Sequence, residues 1–526
     1  MGLDETPAHP SHEILIIVLL RRRRMFVPLR RLCSPRILLG ILLACRLVLL
    51  IFAPHTDPSE SRYAEIARKM VETGDWITPQ FDYGVPFWAK PPLSMWMSAL
   101  GMELFGVNEF GSRIFVFLGA LVVLALVWDA ARREFDKETG WVAVAILASM
   151  PLFFFCSAAV MTDLALLLGT TLTMVGFRGA MRGDSPWHGY GVFAGLAIGL
   201  LAKGPVALAL ALPPIIGWLS LTNRWRSVWR VLPWFSGTLL MLAMTLPWYI
   251  AAEVKTPGFL SYFLIGEHWD RFVVRGWDGD LYGTAHTVAP GTIWIYLLLG
   301  SFPWCLGLLK AFPGNMRSLR TWTMGHQGYG LYVMLWLLWP AILFTLARNI
   351  IVTYPLPALP ALAMLLAELY GFRAREDSPD EELQPLSPAF VGTTLLLVAG
   401  AFTVSLILPQ YSPKHSEKML VRRFEKERAP GDNLVYYGPR RYSAEFYTGG
   451  GVDSTTSSAV LEARMNAPGR MFLAMPSYWF PSVPAPVRRH LQLVASWNHG
   501  PSLYVERTDV PDMSGIDPAR TSPIGN

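Results

Sequence analysis

The sequence predicts a mainly α-helical, polytopic membrane bundle with a small α/β domain at its C-terminal end. Three observations carry that reading. Of 526 residues, 52% are hydrophobic and only 16% are charged, whereas a soluble domain carries about 25% charged residues. Apolar runs close to the ~20 residues that a hydrocarbon core demands recur as far as residue 408. The basic connectors between those runs all fall on one side when the runs are threaded alternately.

The elements follow in order. A basic N-terminal stretch, 1–36, contains "RRRRMFVPLRRLCSPR" and is expected in the cytoplasm. The apolar run after it, with no small-residue cleavage site beside it, reads as an anchor rather than a removed signal peptide. Spans are expected near 37–54, 113–131, 141–157, 160–180, 189–202, 205–222, 231–252, 290–311, 328–346, 354–372 and 388–408. The segment 93–106, "LSMWMSALGMELFG", is too short to cross and is expected to lie on the membrane surface. "RREFDK", "RGAMRGD", "NRWRSVWR", "KAFPGNMRSLR" and "FRARED" then share the side of the basic N-terminus. The opposite face receives residues 55–112, the junctions at Asp163 and Lys203, the loop 253–289, "ARNIIVTY" and the tail 409–526.

The tail changes character. "NLVYYG", "RMFLAM", "LQLVASW" and "SLYVER" are short, strand-like and separated by Pro, Gly and polar residues. The expected organisation is therefore 1–36, a membrane domain over 37–408 with large outer loops at 55–112 and 253–289, and an α/β domain over 409–526. The four cysteines, Cys33, Cys45, Cys156 and Cys305, have no metal-ligand spacing and read as small apolar fillers. The net charge of +6 is spread beside apolar segments rather than along one soluble face, which argues against nucleic-acid binding.

Ionisable residues gather on the outer side. "HTDPSESRYAEIARKM" follows the first span and carries Asp57, Glu60, Arg62 and Tyr63. Lys90 stands before Pro91 and Pro92, whose fixed backbone holds its position. Asp163 and Lys203 sit at expected helix ends, and charge at that depth is costly and points to function. "GEHWDRFVVRGWDGD" brings His268, Arg271 and Arg275, arginines being suited to forked binding of phosphate. No Walker sequence, no GxGxxG after a strand and no GxSxG elbow is present, which argues against a nucleotide-driven pump and an ordinary hydrolase. A polytopic transporter or lipid flippase is the rival class, but no paired repeat is visible.

"SESRYAEIARKMVETGDWITPQFDYGVPFWAKPPL" resembles the first periplasmic loop of the bacterial aminoarabinose–lipid A transferases. Those enzymes belong to the lipid-linked GT-C glycosyltransferases, with the protein O-mannosyltransferases as more distant members. "AAVMTDLALLL", "LAKGPVAL", "GEHWDRF" and "ARNIIVTYPLPALPALAML" extend the resemblance, in order, over most of residues 40–370.

The resemblance implies a GT-C bundle of about 11–13 membrane helices in the bacterial inner membrane, with its site and tail facing the periplasm. It implies transfer of a sugar from undecaprenyl phosphate to a hydroxyl or phosphate of lipid A or another envelope glycan. It implies catalytic roles for Asp57, Glu60 and Asp163, with Asp57 and Glu60 sharing the base and acceptor-orienting roles. Donor-binding roles fall to Arg62, Tyr63, Lys90, Lys203, His268, Arg271, Arg275 and Tyr354. Two departures stand out. Ser59 replaces the family's Asp before Glu60, and Ala89 replaces the Glu that in some relatives holds a divalent metal with the histidine matched by His268. A metal is therefore not carried over, and no nucleic-acid partner is expected.

Overall fold

The computed structural model describes residues 33–283, 287–311, 316–377, 386–411, 415–497 and 500–506. The arginine cluster of the expected cytoplasmic N-terminus and the centre of the connector 373–387 lie outside the described residues. The chain divides into two compact units. One comprises the residues up to Ala53 and Ile66–Phe402; the other comprises Pro54–Glu65 and the residues from Thr403.

The first unit is helical. Its long elements are α1 (Pro35–Phe52), the second half of α2 (Ser59–Thr73), α3 (Leu93–Phe105), α4 (Glu109–Glu134), α5 (Lys137–Ser149), α6 (Thr162–Arg182), α7 (Pro186–Lys203), α8 (Val206–Thr222), α9 (Trp234–Lys255), α10 (Thr292–Ser301), α11 (Met316–Leu346), α12 (Leu359–Asp377) and α13 (Pro388–Phe402). A two-stranded hairpin, β1 (Gln80–Asp82) and β2 (Val85–Pro86), precedes α3. Among the described residues, six segments are long and apolar enough to cross a membrane: Pro35–Phe52, Glu109–Glu134, Thr162–Arg182, Trp234–Lys255, Trp322–Leu346 and Pro388–Ile407. Shorter apolar helices fill the other expected spans, and proline divides two of them. Pro151 opens a separate six-residue helix inside the expected span 141–157. Pro303 stands between α10 and the short helix Cys305–Ala311, inside the expected span 290–311. The expected surface segment 93–106 forms α3, whose Gly101 lies against the Gly111 backbone of α4.

Helix starts follow capping chemistry. Asn108 accepts from the Gly111 amide at 2.8 Å, Asp136 from Thr139 at 2.7 Å and Ser185 from Trp187 at 3.4 Å; each occupies an amide that the first turn leaves unpaired. Gly183, at φ +80°, ends α6, and Ser185 with Pro186 starts α7 at once. These two helices form an antiparallel hairpin whose arms meet backbone to backbone. A Cβ on Gly169 would stand 2.5 Å from the Gly199 nitrogen, and one on Gly195 would stand 2.5 Å from Thr173 Oγ1. Small residues permit this approach where lipid supplies no hydrophobic drive between helices. The hairpin sets the start of α6 beside the end of α7, which is what brings Asp163 to Lys203.

The second unit has a five-stranded sheet in the order β4-β3-β5-β7-β6, built from β3 (Asn433–Tyr437), β4 (Val452–Thr455), β5 (Met471–Pro476), β6 (Leu491–Ser496) and β7 (Pro501–Glu506). β3 is parallel to β4 and β5, and β7 is antiparallel to β5 and β6. The central strands are covered on both faces. Leu434, Tyr436, Phe472 and Ala474 pack on one side, with Leu420 and Phe424 of α14 (Lys418–Glu427). Val435, Tyr437, Leu473 and Met475 pack on the other side, with Leu461 and Val487. Burial on both faces explains why "NLVYY" and "MFLAM" are continuous apolar runs rather than alternating ones. The four strand-like stretches of the tail form β3, β5, β6 and β7; β4 carries "VDST", too polar to stand out.

Candidate active site

A cavity opens in the first unit where the ends of α6, α7 and α11 meet the segment 262–273. Lys90, Asp163, Lys203, Glu267, His268, Arg271, Asn349, Thr353 and Tyr354 supply its polar wall; Leu166, Val206 and Phe344 supply apolar wall. Six of the expected site residues therefore share one cavity: Asp163, Lys90, Lys203, His268, Arg271 and Tyr354.

Two ion-pair clusters organise it. In the first, Lys203 Nζ lies 2.7 Å from Asp163 Oδ1, which also accepts from Thr353 Oγ1 at 2.9 Å. The same ammonium stands 4.7 Å from the centre of the Tyr354 ring, within cation–π range. In the second, Glu267 is the centre. Lys90 Nζ donates to its Oε2 at 2.7 Å, and Arg271 Nη1 stands 3.2 Å from both carboxylate oxygens. Asp280 Oδ2 takes the same guanidinium at 3.1 Å. Burial pushes the Glu267 carboxyl up, but Lys90 and Arg271 outweigh it and hold it below the ordinary carboxylate value.

The segment Tyr262–Asp270 is π-helical, a rare geometry often found at functional sites. Its wider turn carries Glu267 and His268. The imidazole lies between two carbonyls, Nδ1 2.7 Å from that of Phe263 and Nε2 3.0 Å from that of Lys203, and a neutral ring donates to one of them. Burial lowers its pKa, so the neutral ring is favoured. Gly204 follows Lys203 at φ +72°, with the Phe263 and His268 rings against its Cα; a side chain there would meet both strain and collision. Asn349 holds the next turn by donating to the carbonyls of Arg271 at 2.7 Å and Val274 at 2.9 Å. The donor set does not fit a metal ion: Ala89 offers only a methyl group, and both nitrogens of His268 face carbonyls.

Arg275 is exposed and does not line the cavity. Asp57, Glu60, Arg62 and Tyr63 belong to the second unit. There the Asp57 carboxylate accepts from the Ser443 amide at 3.0 Å and from the Ser443 hydroxyl, at the start of α15 (Tyr442–Tyr447). Burial raises the Asp57 carboxyl, and the Ser443 bonds work against that rise. Glu60 Oε2 accepts from the Thr56 amide at 3.2 Å and from its hydroxyl at 3.3 Å. Arg62 lies over the rings of Tyr63 and Tyr442. Glu417, buried nearby in this unit, is pushed up to about 8 by burial, against the pull of Arg441.

Sequence reasoning gave no site role to Glu267, Asn349 or Thr353. Glu267 directly precedes His268, and a carboxylate between Lys90 and Arg271 is what a cluster of cations at membrane depth requires. Asn349 and Thr353 sit inside "ARNIIVTY", where nothing in the local pattern separates them from loop residues.

The fold and this cavity define a class: a helical membrane protein with cations and carboxylates gathered where helix ends meet. The model of the dolichyl-phosphate-mannose-protein mannosyltransferase family matches residues 44–263. The chain is 35% identical over 326 residues to the undecaprenyl phosphate-alpha-4-amino-4-deoxy-L-arabinose arabinosyl transferase of Shewanella sediminis, covering 59% of this chain and 55% of that protein. Its namesake in Edwardsiella ictaluri is 33% identical over 323 residues, covering 59% and 54%. The chain thus spans little more than half the length of these curated relatives. Among solved structures, ArnT from Cupriavidus metallidurans bound to undecaprenyl phosphate shares the fold, with a TM-score of 0.70 at 19% identity over 91% of this chain and 99% of that one.

Proposed function

We propose that the protein is a glycosyltransferase that moves a sugar from a polyprenyl phosphate, undecaprenyl phosphate in bacteria, to an acceptor on the periplasmic side of the inner membrane. The observation that carries this reading is the cavity itself: Lys90, Lys203 and Arg271 converge on one space that also has apolar wall. A polyprenyl phosphate has the same two-part character, an anionic head on a hydrocarbon chain. The similarity to undecaprenyl phosphate aminoarabinose transferases supports that class of donor, and the acceptor we propose is lipid A or another envelope glycan.

The chemistry needs no added energy source, because the donor is a glycosyl phosphate. An acceptor oxygen attacks the anomeric carbon, the bond from that carbon to the phosphate oxygen breaks, and the acceptor proton passes to a carboxylate. Negative charge grows on the departing lipid phosphate. Lys90, Lys203 and Arg271 are placed to stabilise it, shifting from their carboxylate partners toward the phosphate. The carboxylate that takes the proton is Asp57, Glu60 or Asp163. Arg62, Tyr63, His268, Arg275 and Tyr354 are assigned to shaping the donor and acceptor surfaces.

The test is to incubate purified protein with a panel of undecaprenyl phosphate sugars and lipid acceptors, and to follow release of undecaprenyl phosphate. Acceptor-dependent release with at least one sugar supports the reading. Binding of the donors without turnover under any acceptor would sink it.

A further inference from the structure

At the opposite ends of α7, α8 and α9 from the cavity lies a second polar feature. The short helix Trp225–Val231 connects α8 to α9 and carries "WRSVWRV". Val228 is buried, so one face of this helix rests on the bundle. Trp225 and Trp229, four residues apart, share a neighbouring face, and Arg226 and Arg230, also four apart, share the next. All four are exposed, Trp229 at 64%.

The aromatic surface continues around the helix. Trp229 and Trp234 pair at 4.6 Å, and Trp187 and Tyr190 at 6.0 Å. Tyr190 and Ser236 share a hydrogen bond of 2.9 Å, joining the starts of α7 and α9. Phe235 and Trp187 are 86% and 80% exposed, far more than large aromatics tolerate in water but suited to a headgroup layer.

The charge is one-sided. No Asp or Glu occurs between Asp184 and Glu253. Arg224 is held by Gln327 Oε1 at 3.2 Å and lies over the Trp218 ring. Arg226 and Arg230 have no carboxylate partner among the described residues. Elsewhere on this end of the bundle arginines are neutralised: Arg178 and Arg182 both bind Glu134, and Arg132 and Arg133 both bind Asp129.

We propose that the helix Trp225–Val231 and the aromatic residues around it form a binding surface for anionic phospholipid headgroups. Arg226 and Arg230 take the lipid phosphates, and Trp187, Trp229, Trp234 and Phe235 sit among the upper acyl carbons. The surface lies on the bilayer face opposite the cavity and needs no turnover at the cavity to operate. Two free guanidinium groups, an acid-free stretch of chain and an exposed aromatic belt match an anionic membrane surface, where each basic side chain favours binding about fivefold.

The experiment uses the full chain, purified in mild detergent, with dioleoylphosphatidylglycerol and dioleoylphosphatidylcholine as competing probes, read by native mass spectrometry. The wild-type protein should retain phosphatidylglycerol preferentially. Arg226→Ala with Arg230→Ala should cut that preference by about 25-fold, and Lys at both positions should keep most of it. Both arginines are exposed, so the alanine variant should fold, as an unchanged melting temperature would verify. An unchanged preference in the alanine variant overturns the proposal. So does an equal loss of both lipids, which would mean that the arginines serve packing rather than charge.

Discussion

Lys203 and Asp163 meet at 2.7 Å, although 40 residues separate them, because α6 and α7 pack glycine to glycine along their length. The pair is at the open end of that hairpin and on the wall of the cavity. Removing one partner leaves the other buried without its counter-charge, a loss of roughly 3–5 kcal/mol. Lys203→Ala should therefore lower the melting temperature and reduce turnover at least a hundredfold. Lys203→Arg should recover most of the stability and part of the rate. Lipid phosphate release and thermal unfolding in detergent check both; a Lys203→Ala protein with full turnover would leave this pair a purely structural role.

The hairpin itself is the second point of attack. Gly169→Leu has no room, since even a Cβ would stand 2.5 Å from the Gly199 nitrogen. The arms must separate, and the Asp163–Lys203 contact must open with them. We expect loss of several degrees in melting temperature and of most activity. Gly40→Leu is the matched control, because nothing lies within 4 Å of a Cβ there. Equal behaviour of the two variants would show that close packing of α6 on α7 does not set the site.

The hairpin also shows what the sequence made legible. Apolar run length and the side occupied by Lys and Arg were enough to place Asp163, Lys203, His268, Arg271 and Tyr354 on one face, and the structure puts them around one cavity. Helix interruptions were harder to read, because a proline such as Pro151 or Pro303 inside an apolar run either kinks a helix or ends it, depending on its neighbours. Glu267 was hidden for another reason. A carboxylate in a polar loop looks solvated until the fold brings Lys90, 177 residues away in sequence, against it. The placement of Asp57 against Ser443 is a contact across 386 residues and has no local signal.

The acid response follows from Glu267 and His268. His268 titrates lower in the folded protein than its ordinary value, because burial disfavours the charged ring. Between the folded and unfolded values the unfolded chain binds the extra proton, so stability rises with pH through that window. This contribution is lost as pH falls from about 6.5. Glu267 also titrates lower when folded, so the stability it contributes is present above the unfolded value of about 4.3 and disappears as pH falls through the folded one. Acidification thus removes these two contributions in turn, whereas Glu417, pushed up by burial, adds stability as pH falls below about 8, so the two stages are read as differences between wild type and variant. His268→Gln should remove the upper stage and leave the lower, whereas an unchanged profile in that variant would assign the upper stage to other groups.

Asp57 offers a direct separation of chemistry from architecture. Its carboxylate accepts from the Ser443 amide through one oxygen and from the Ser443 hydroxyl through the other; an asparagine keeps the first bond through its carbonyl oxygen, and its amide nitrogen can donate to the same hydroxyl in place of the second. An asparagine cannot take up a proton from an acceptor hydroxyl. If Asp57 is the general base, Asp57→Asn should keep the melting temperature close to wild type and lower turnover by about 10²–10⁴. If Asp57 only clips the segment 54–65 to α15, Asp57→Asn should keep its rate, and Asp57→Ala should lose stability instead. The same pair of substitutions at Glu60, where the Thr56 amide plays the part of Ser443, then decides between the two acids. Retained turnover in both asparagine and glutamine variants would move the proton-accepting role to Asp163, the carboxylate already on the cavity wall.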